Sequence, residues 1–202
     1  MAVLRELNVE FADVVRAARQ SLRWVQNGKR GLGTAVAISP QGWLLTNAHV
    51  VSGSTKVQIG SEGEEAIEAS VVTQDEKEDL ALLRTDGHAT LVPLPLGDSR
   101  SLRAGDWVIA LGHPWGGRTA VTCGSLIGLE NGFPEGGRKE HEYLVAAIRM
   151  RPGYSGGPLI DAGGNLVGLN VMITGPDVGV AIPSHVVRDF LRRVMGNSKD
   201  LA

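Results

Sequence analysis

From residue 34 to 183 the sequence is a succession of short apolar or alternating runs: TAVAIS, GWLLTN, TKVQIG, EASVVTQ, LALLRT, WVIALG, TAVTCGSLIG, YLVAAIRM, PLIDAGG, LVGLNVM and VGVAIP. Each is bounded by turn residues and is too short to be a helix of a bundle, so the pattern specifies an all-β sandwich or barrel. The glycine content, 27 of 202 residues, with only 4% aromatics, fits short strands joined by tight turns. A proline- and charge-rich stretch at 91–106, LVPLPLGDSRSLRAGD, divides the runs into two groups of similar size and reads as the seam between two subdomains. A chain of this length buries roughly 70% of its unfolded surface, enough for a substantial core.

Helical spacing occurs only at the two ends. Leu7, Phe11, Val14, Ala18 and Leu22 recur at steps of four and three, which predicts an amphipathic helix over about 8–20 within an N-terminal segment 8–26. The strands then divide as 27–100 and 101–183. Pro183 and Ser184 open a second helix over 184–196, with Val186, Val187, Phe190, Leu191 and Val194 on its apolar side.

Composition narrows the function. The net charge is −2 and no long run carries one sign, so neither nucleic acid nor an anionic membrane is an expected partner. One cysteine, Cys123, excludes an intramolecular disulfide, and no Cys/His spacing suits zinc, so no metal or cofactor is expected. The N-terminus lacks an apolar signal core and no run approaches a membrane span, which gives the expectation of a soluble, cytoplasmic chain.

The chemistry concentrates in MRPGYSGGPLID, 150–161, where Gly153, Gly156 and Gly157 surround Ser155. Ser-Gly-Gly-Pro alone is ordinary turn chemistry, but a turn does not require the preceding glycine. A serine nucleophile requires a neutral histidine, an acid that orients it, and backbone amides facing the developing oxyanion. The amides of Gly153 and Ser155 converge on one oxygen if the chain curls there, which glycine permits. His49 ends the apolar run GWLLTNA, and Asp79 closes the acidic tract QDEKED immediately before LALLR. Taken singly, each has a bland reading: a core histidine, and the end of a charged turn. Of the other histidines, His88 and His141 lie in polar loops, His185 in the first turn of the last helix reads as structural, and His113 in GHPWG reads as a loop residue.

At these residues the sequence resembles the chymotrypsin-like serine proteases, and within them the HtrA/Deg family. The similarity is carried by GLGTAVAISPQGWLLTNAHVV, EDLALLR, PLPLGDSRSLRAGDWVIALGHPWG, VTCGSLIG, YSGGPLID, GNLVGLNV and VGVAIPSHVV, in family order from about 31 to 188. The resemblance implies two six-stranded antiparallel β-barrels with an N-terminal and a C-terminal helix. It also implies His49 as general base, Asp79 as its partner, Ser155 as nucleophile, and an oxyanion hole at Gly153, Tyr154 and Ser155, with the Gly153 and Ser155 amides as donors. Leu169, Asn170 and Val171 are implied as the strand edge that pairs with substrate. Substrates would be unfolded or extended polypeptides, cleaved without ATP. Trimers through the N-terminal segment, with Phe11 taking part, are expected by the same resemblance, the alternative being a helix that covers its own barrel.

The departures carry information. Tyr154 stands where the family usually has asparagine, and a phenol is a poor ion-pair partner at neutral pH, so activation by a freed N-terminus is not expected. Arg149 falls six residues before Ser155, where the resemblance would put the base of the primary specificity pocket. Inward it would favour acidic side chains. Outward it would leave an aliphatic pocket, the expected arrangement because burying an unpaired guanidinium is costly. His113 and Trp115 replace a more usual asparagine and phenylalanine. Most HtrA chains continue into PDZ domains about where this sequence ends, so regulation by such a domain is not expected here. The loop 131–142 is expected to gate the oxyanion hole. A catalytically quiet, chaperone-like or partner-activated polypeptide binder is the competing reading.

Overall fold

The computed structural model describes residues 2–28, 32–86, 91–131, 142–173, 175 and 177–196. A helix, α1 (Ala2–Arg19), precedes β1 (Leu22–Gln26), β2 (Leu32–Ser39) and β3 (Trp43–Thr46). A helical turn, α2 (Ala48–Val51), leads into β4 (Lys56–Gly60), β5 (Ile67–Asp75) and β6 (Leu80–Thr85). After the seam come β7 (Trp107–Gly112), β8 (Ala120–Asn131), β9 (Glu142–Ala146), β10 (Pro158–Ile160), β11 (Leu166–Ile173), β12 (Gly179–Pro183) and α3 (Ser184–Met195). The strands pair antiparallel and close into two barrels of six, ordered β1-β2-β3-β6-β5-β4 and β10-β11-β12-β9-β8-β7.

Both faces of several strands are buried, which is why they read as continuous apolar runs rather than clean alternation. In β2 and β6, Ala35, Ala37, Ala81 and Leu83 pack with Leu44, Ile59 and Ala69 inside the first barrel. Their alternate neighbours Val36, Ile38, Leu80 and Leu82 pack with Ile109, Leu111, Ile160 and Leu166 of the second barrel. The same division recurs in β7, where Val108 and Ala110 face Leu126, Leu144 and Ala181. A six-stranded barrel is narrow, so alanine recurs on the inward side and branched residues on the outward side, where they join the two barrels.

Three boundaries differ from the sequence pattern. The first helix starts at Ala2 rather than 8 and ends at Arg19, its last turn tightened by Gln20 N–H and Ser21 N–H donating to the Ala17 and Ala18 carbonyls at 3.2 and 3.0 Å. Leu22, on the expected helical stripe, instead opens β1, which pairs with β2 (Leu22↔Val36) and β4 (Val25↔Ile59). The first barrel therefore begins at residue 22, not 27, and this short strand is the one absent from the sequence pattern. Phe11, Val14 and Val15 pack on the shared core, whereas Val3, Leu4 and Leu7 are exposed. Across the seam, Leu91 and Leu94 are buried and the Leu94 amide donates to the Ala37 carbonyl at 2.9 Å, so this segment is strapped to the first barrel. Val187, Phe190 and Leu191 bury α3 against the shared core. His88, His141 and the loop 132–141 lie outside the described residues.

Candidate active site

His49 stands on α2, directly after β3, and Asp79 directly before β6, the strand paired with β3 (Thr46↔Ala81). Adjacent strand ends thus bring together residues thirty positions apart. Asp79 Oδ2 lies 2.8 Å from His49 Nδ1, and its Oδ1 accepts the His49 backbone N–H at 3.0 Å. Asn47 Nδ2 donates to the Asp79 carbonyl at 2.9 Å. Asp79 has φ of 54°, a left-handed conformation that aspartate tolerates better than most residues, and the three hydrogen bonds hold it there. With the carboxylate accepting at Nδ1, the ring carries its proton on that nitrogen and leaves Nε2 as the basic atom.

Ser155 belongs to the second barrel. Gly153, Gly156 and Gly157 surround it for separate reasons. Gly153 has φ of 102°, and a Cβ there would sit 2.5 Å from Pro114 Cα. It is the third residue of a β-turn, Arg151-Pro152-Gly153-Tyr154, closed by Tyr154 N–H donating to the Arg151 carbonyl at 3.1 Å, with proline second and glycine third as a type II turn demands. A Cβ on Gly156 would lie 2.1 Å from the Thr34 carbonyl oxygen, and one on Gly157 2.1 Å from that of Leu111. These two let the chain pass between the barrels. The Gly156 and Gly157 amides donate to the Asn170 and Tyr154 carbonyls, both at 2.9 Å.

The oxyanion expectation names the Gly153 and Ser155 amides as donors, with Tyr154 between them. The Tyr154 amide is committed to Arg151, so it has no hydrogen left for a substrate oxygen. Among the described residues, the Gly153 and Ser155 amides donate to no backbone carbonyl outside regular strands. The Ser155 hydroxyl donates to the Val171 carbonyl at 2.9 Å. Beside it is a cavity of about 330 Å³ lined by Met150, Arg151, Pro152, Tyr154, Ser155, Asn170 and Val171. Tyr154 is buried, and that burial pushes its phenol above the ordinary value, against a smaller opposing effect of the Arg151 guanidinium. Arg149 points outward: its side chain is 74% exposed and lies 3.6 Å from the equally exposed Asp177.

The strand edge at Leu169, Asn170 and Val171 is partly paired. Leu169 pairs with Pro158 and Ile182, and Asn170 exchanges backbone hydrogen bonds with Gly156 and Gly157, so both are paired on the β10 side. From Val171 onward, β11 pairs only with β12, through Met172↔Val180 and Ile173↔Gly179. Among the described residues, 171–173 thus have no strand partner on the β10 side. Asn170 instead braces the nucleophile strand, its Nδ2 reaching the Leu111 and Pro158 carbonyls at 3.3 and 3.0 Å.

A residue the sequence reading left in a loop proves central. His113 is 1% exposed; burial, reinforced by Arg19 and Arg23, pushes its pKa from 6.5 down to about 4, so it is neutral. It lies behind the Ser155 turn, with Nδ1 3.3 Å from Thr34 Oγ1 and Nε2 3.2 Å from Thr119 Oγ1. His185, read as structural, contacts Ser99 and Glu142, forming a second serine–histidine–carboxylate group. Among the described residues, no cluster of three or more His, Cys, Asp or Glu could hold a metal, and no helix is long and apolar enough to cross a membrane.

Two six-stranded barrels with a histidine–aspartate pair on the first and a glycine-embedded serine on the second are the architecture of trypsin-like peptidases. The chain belongs to that family: the model of the trypsin-like peptidase domain matches residues 33–169. Within it the similarity is to HtrA-type proteases. Rat serine protease HTR4 is 35% identical over 79% of this chain and 33% of its own length. A probable periplasmic serine protease do/HhoA-like of Haemophilus influenzae is 33% identical over 82% of this chain and 37% of its own. The chain spans about a third of the length of these relatives. Among solved structures, the HtrA-type protease AlgW with a tripeptide superposes with a TM-score of 0.83 at 31% identity, covering 92% of this chain and 63% of that one. An inactive form of Rv3671c from M. tuberculosis gives 0.78 at 28%, covering 92% and 91%.

Proposed function

We propose that the chain is a serine endopeptidase of HtrA type that cleaves unfolded or extended polypeptides through His49, Asp79 and Ser155. The observation that carries this reading is the doubly bonded Asp79, which sets the His49 ring in the tautomer a general base needs, on one barrel, with Ser155 in a glycine-rich turn of the other. Ser155 Oγ attacks the scissile carbonyl as His49 Nε2 takes its proton. The Gly153 and Ser155 amides receive the oxyanion, and the imidazolium returns the proton to the leaving amine. The free edge at 171–173 pairs with the substrate backbone, which selects extended segments by main-chain hydrogen bonding and needs no ATP. With Arg149 turned to Asp177, the cavity beside Ser155 takes a small aliphatic side chain against Met150, Pro152 and Val171.

A second reading, a partner-activated or polypeptide-holding module, is favoured by one observation: Ser155 Oγ is bonded to the Val171 carbonyl instead of to His49. Incubation of the chain with a fluorophosphonate probe and with casein separates the two. The protease reading expects labelling that disappears in Ser155→Ala and casein turnover that disappears in His49→Ala. Equal labelling of Ser155→Ala would refute it, and binding of casein without turnover would establish the second reading.

A further inference from the structure

The turn that carries Ser155 is held in part by the other barrel, through one residue of β2. Thr34 is fully buried, and its Oγ1 donates to the Gly153 carbonyl at 2.8 Å. The same carbonyl accepts the His113 N–H at 3.1 Å, a hydrogen shared with Thr34 Oγ1 at 2.9 Å. The Thr34 N–H donates to the Ser155 carbonyl at 2.8 Å, and the Thr34 carbonyl accepts the Thr46 hydroxyl at 2.7 Å. Thr34 therefore holds both ends of the tripeptide Gly153-Tyr154-Ser155, by side chain at one end and main chain at the other.

The proton count decides what the side chain does. A threonine hydroxyl has one hydrogen, and here it goes to Gly153, so the contact with His113 Nδ1 requires Nδ1–H to donate. His113 Nε2 is then an acceptor, and Thr119 Oγ1 supplies its hydrogen. The chain Thr119 to His113 to Thr34 to Gly153 closes with every proton placed. Nothing in the core packing alone demands this. Valine has nearly the same shape and would fill the same space, but would leave His113 Nδ1–H without its acceptor and the Gly153 carbonyl with the His113 backbone N–H alone.

We infer that the Thr34 hydroxyl is a positioning residue for catalysis: by anchoring the Gly153 carbonyl across the barrel interface, it sets the plane of the Gly153–Tyr154 peptide and so the aim of the flanking Gly153 and Ser155 amides. The inference rests on the reading of Ser155 as the nucleophile. Thr34 touches neither substrate nor Ser155 Oγ, so its loss moves the transition state and leaves substrate binding at the 171–173 edge intact.

The test uses the whole chain with a quenched fluorescent peptide, casein and a fluorophosphonate probe. Thr34→Val is expected to lower kcat and the probe labelling rate by about ten- to a hundredfold, the scale of a misaligned oxyanion donor, with KM within about twofold. Thr34→Ser, which keeps the hydroxyl, is expected to recover most of the lost kcat. Thr34→Cys, of similar volume but a weak donor, takes the place of the valine variant should that one not fold, with the same outcome expected. Wild-type kcat in the valine or cysteine variant, or a serine variant as slow as they are, overturns the inference while leaving the nucleophile assignment standing. Labelling of Ser155→Ala at the wild-type rate overturns that assignment and this one with it.

Discussion

Two places in this molecule bring a serine, a histidine and a carboxylate together, and the better-connected of the two is not the site proposed for catalysis. At the seam between the barrels and α3, Ser99 Oγ lies 2.9 Å from His185 Nδ1, and His185 Nε2 lies 3.3 Å from Glu142 Oε2. At the cleft, His49 and Asp79 are joined at 2.8 Å, but Ser155 Oγ is bonded to Val171. A hydrogen-bonded triad is therefore a poor criterion by itself. Ser99 is fully buried, its amide donates to Ser184 Oγ, and its hydroxyl accepts the His185 backbone N–H at 3.2 Å. Those bonds tie the start of α3 to the seam, and no carbonyl of another molecule can reach that oxygen. Ser155 borders a cavity and, among the described residues, its own amide and that of Gly153 donate to no backbone carbonyl outside regular strands, while His49 is half exposed. Accessibility to another molecule is what separates the group proposed for catalysis from the sealed one.

The comparison can be broken most directly at the two serines. Ser155→Ala is expected to lower kcat by about a millionfold, the scale for a triad nucleophile, whereas Ser99→Ala leaves kcat within a few-fold. Peptide turnover by both variants measures this, and the reverse ranking would exchange the two sites. The acids give the next largest contrast. Asp79→Asn should cost about 10⁴-fold by presenting the wrong His49 tautomer, and Glu142→Gln should leave turnover unchanged because Glu142 is half exposed and orients no base.

Stability sharpens the contrast from the other side. Ser99→Ala strands the buried His185 ring and backbone amide, so urea unfolding should show a loss of about 1–3 kcal/mol. His113 adds a pH dependence that neither serine has. Its folded-state pKa, about 4, lies below the ordinary 6.5, so the unfolded chain takes up the proton first as pH falls. The stability is present above about pH 6.5 and is lost on acidification toward pH 4. Between pH 7 and 5 the wild type should lose about 2 kcal/mol more than His113→Asn. Parallel urea midpoints for the two proteins across that range would dismiss the assignment. The smallest effect belongs to Arg149→Ala: an exposed pair with Asp177 contributes at most about 0.5 kcal/mol, and cleavage after small aliphatic residues should be unaffected.

Much of this was legible in the sequence. Eleven of the twelve strands announce themselves because most lie in a barrel wall with at least one buried face. The roles of Gly153, Gly156 and Gly157 follow from what a curled chain needs around an exposed hydroxyl. The strand LRWVQ escaped because Leu22 also completes the helical spacing from Leu7, and periodicity cannot tell a helix's last turn from a strand's first residue. His113 was read as a loop residue because a glycine-bounded turn gives no sign of burial until another barrel is packed over it. Leu169 and Asn170 look available in the sequence, and only the fold shows Gly156 and Gly157 bonded to Asn170.

The sequence by itself determined the run of short strands and, through its resemblance to a protease family, which histidine, aspartate and serine are the candidates for base, acid and nucleophile; none of the three is recognisable from its immediate neighbours alone. What only the tertiary structure decided is which groups those residues answer to. Thr34 and Gly153 lie 119 positions apart, and Ser99 and His185 86 apart. Hydrogen bonds act over about 3 Å of space regardless of sequence distance. No local pattern therefore records that a threonine in the first barrel anchors the turn of the second, or that one serine of two is sealed from solvent.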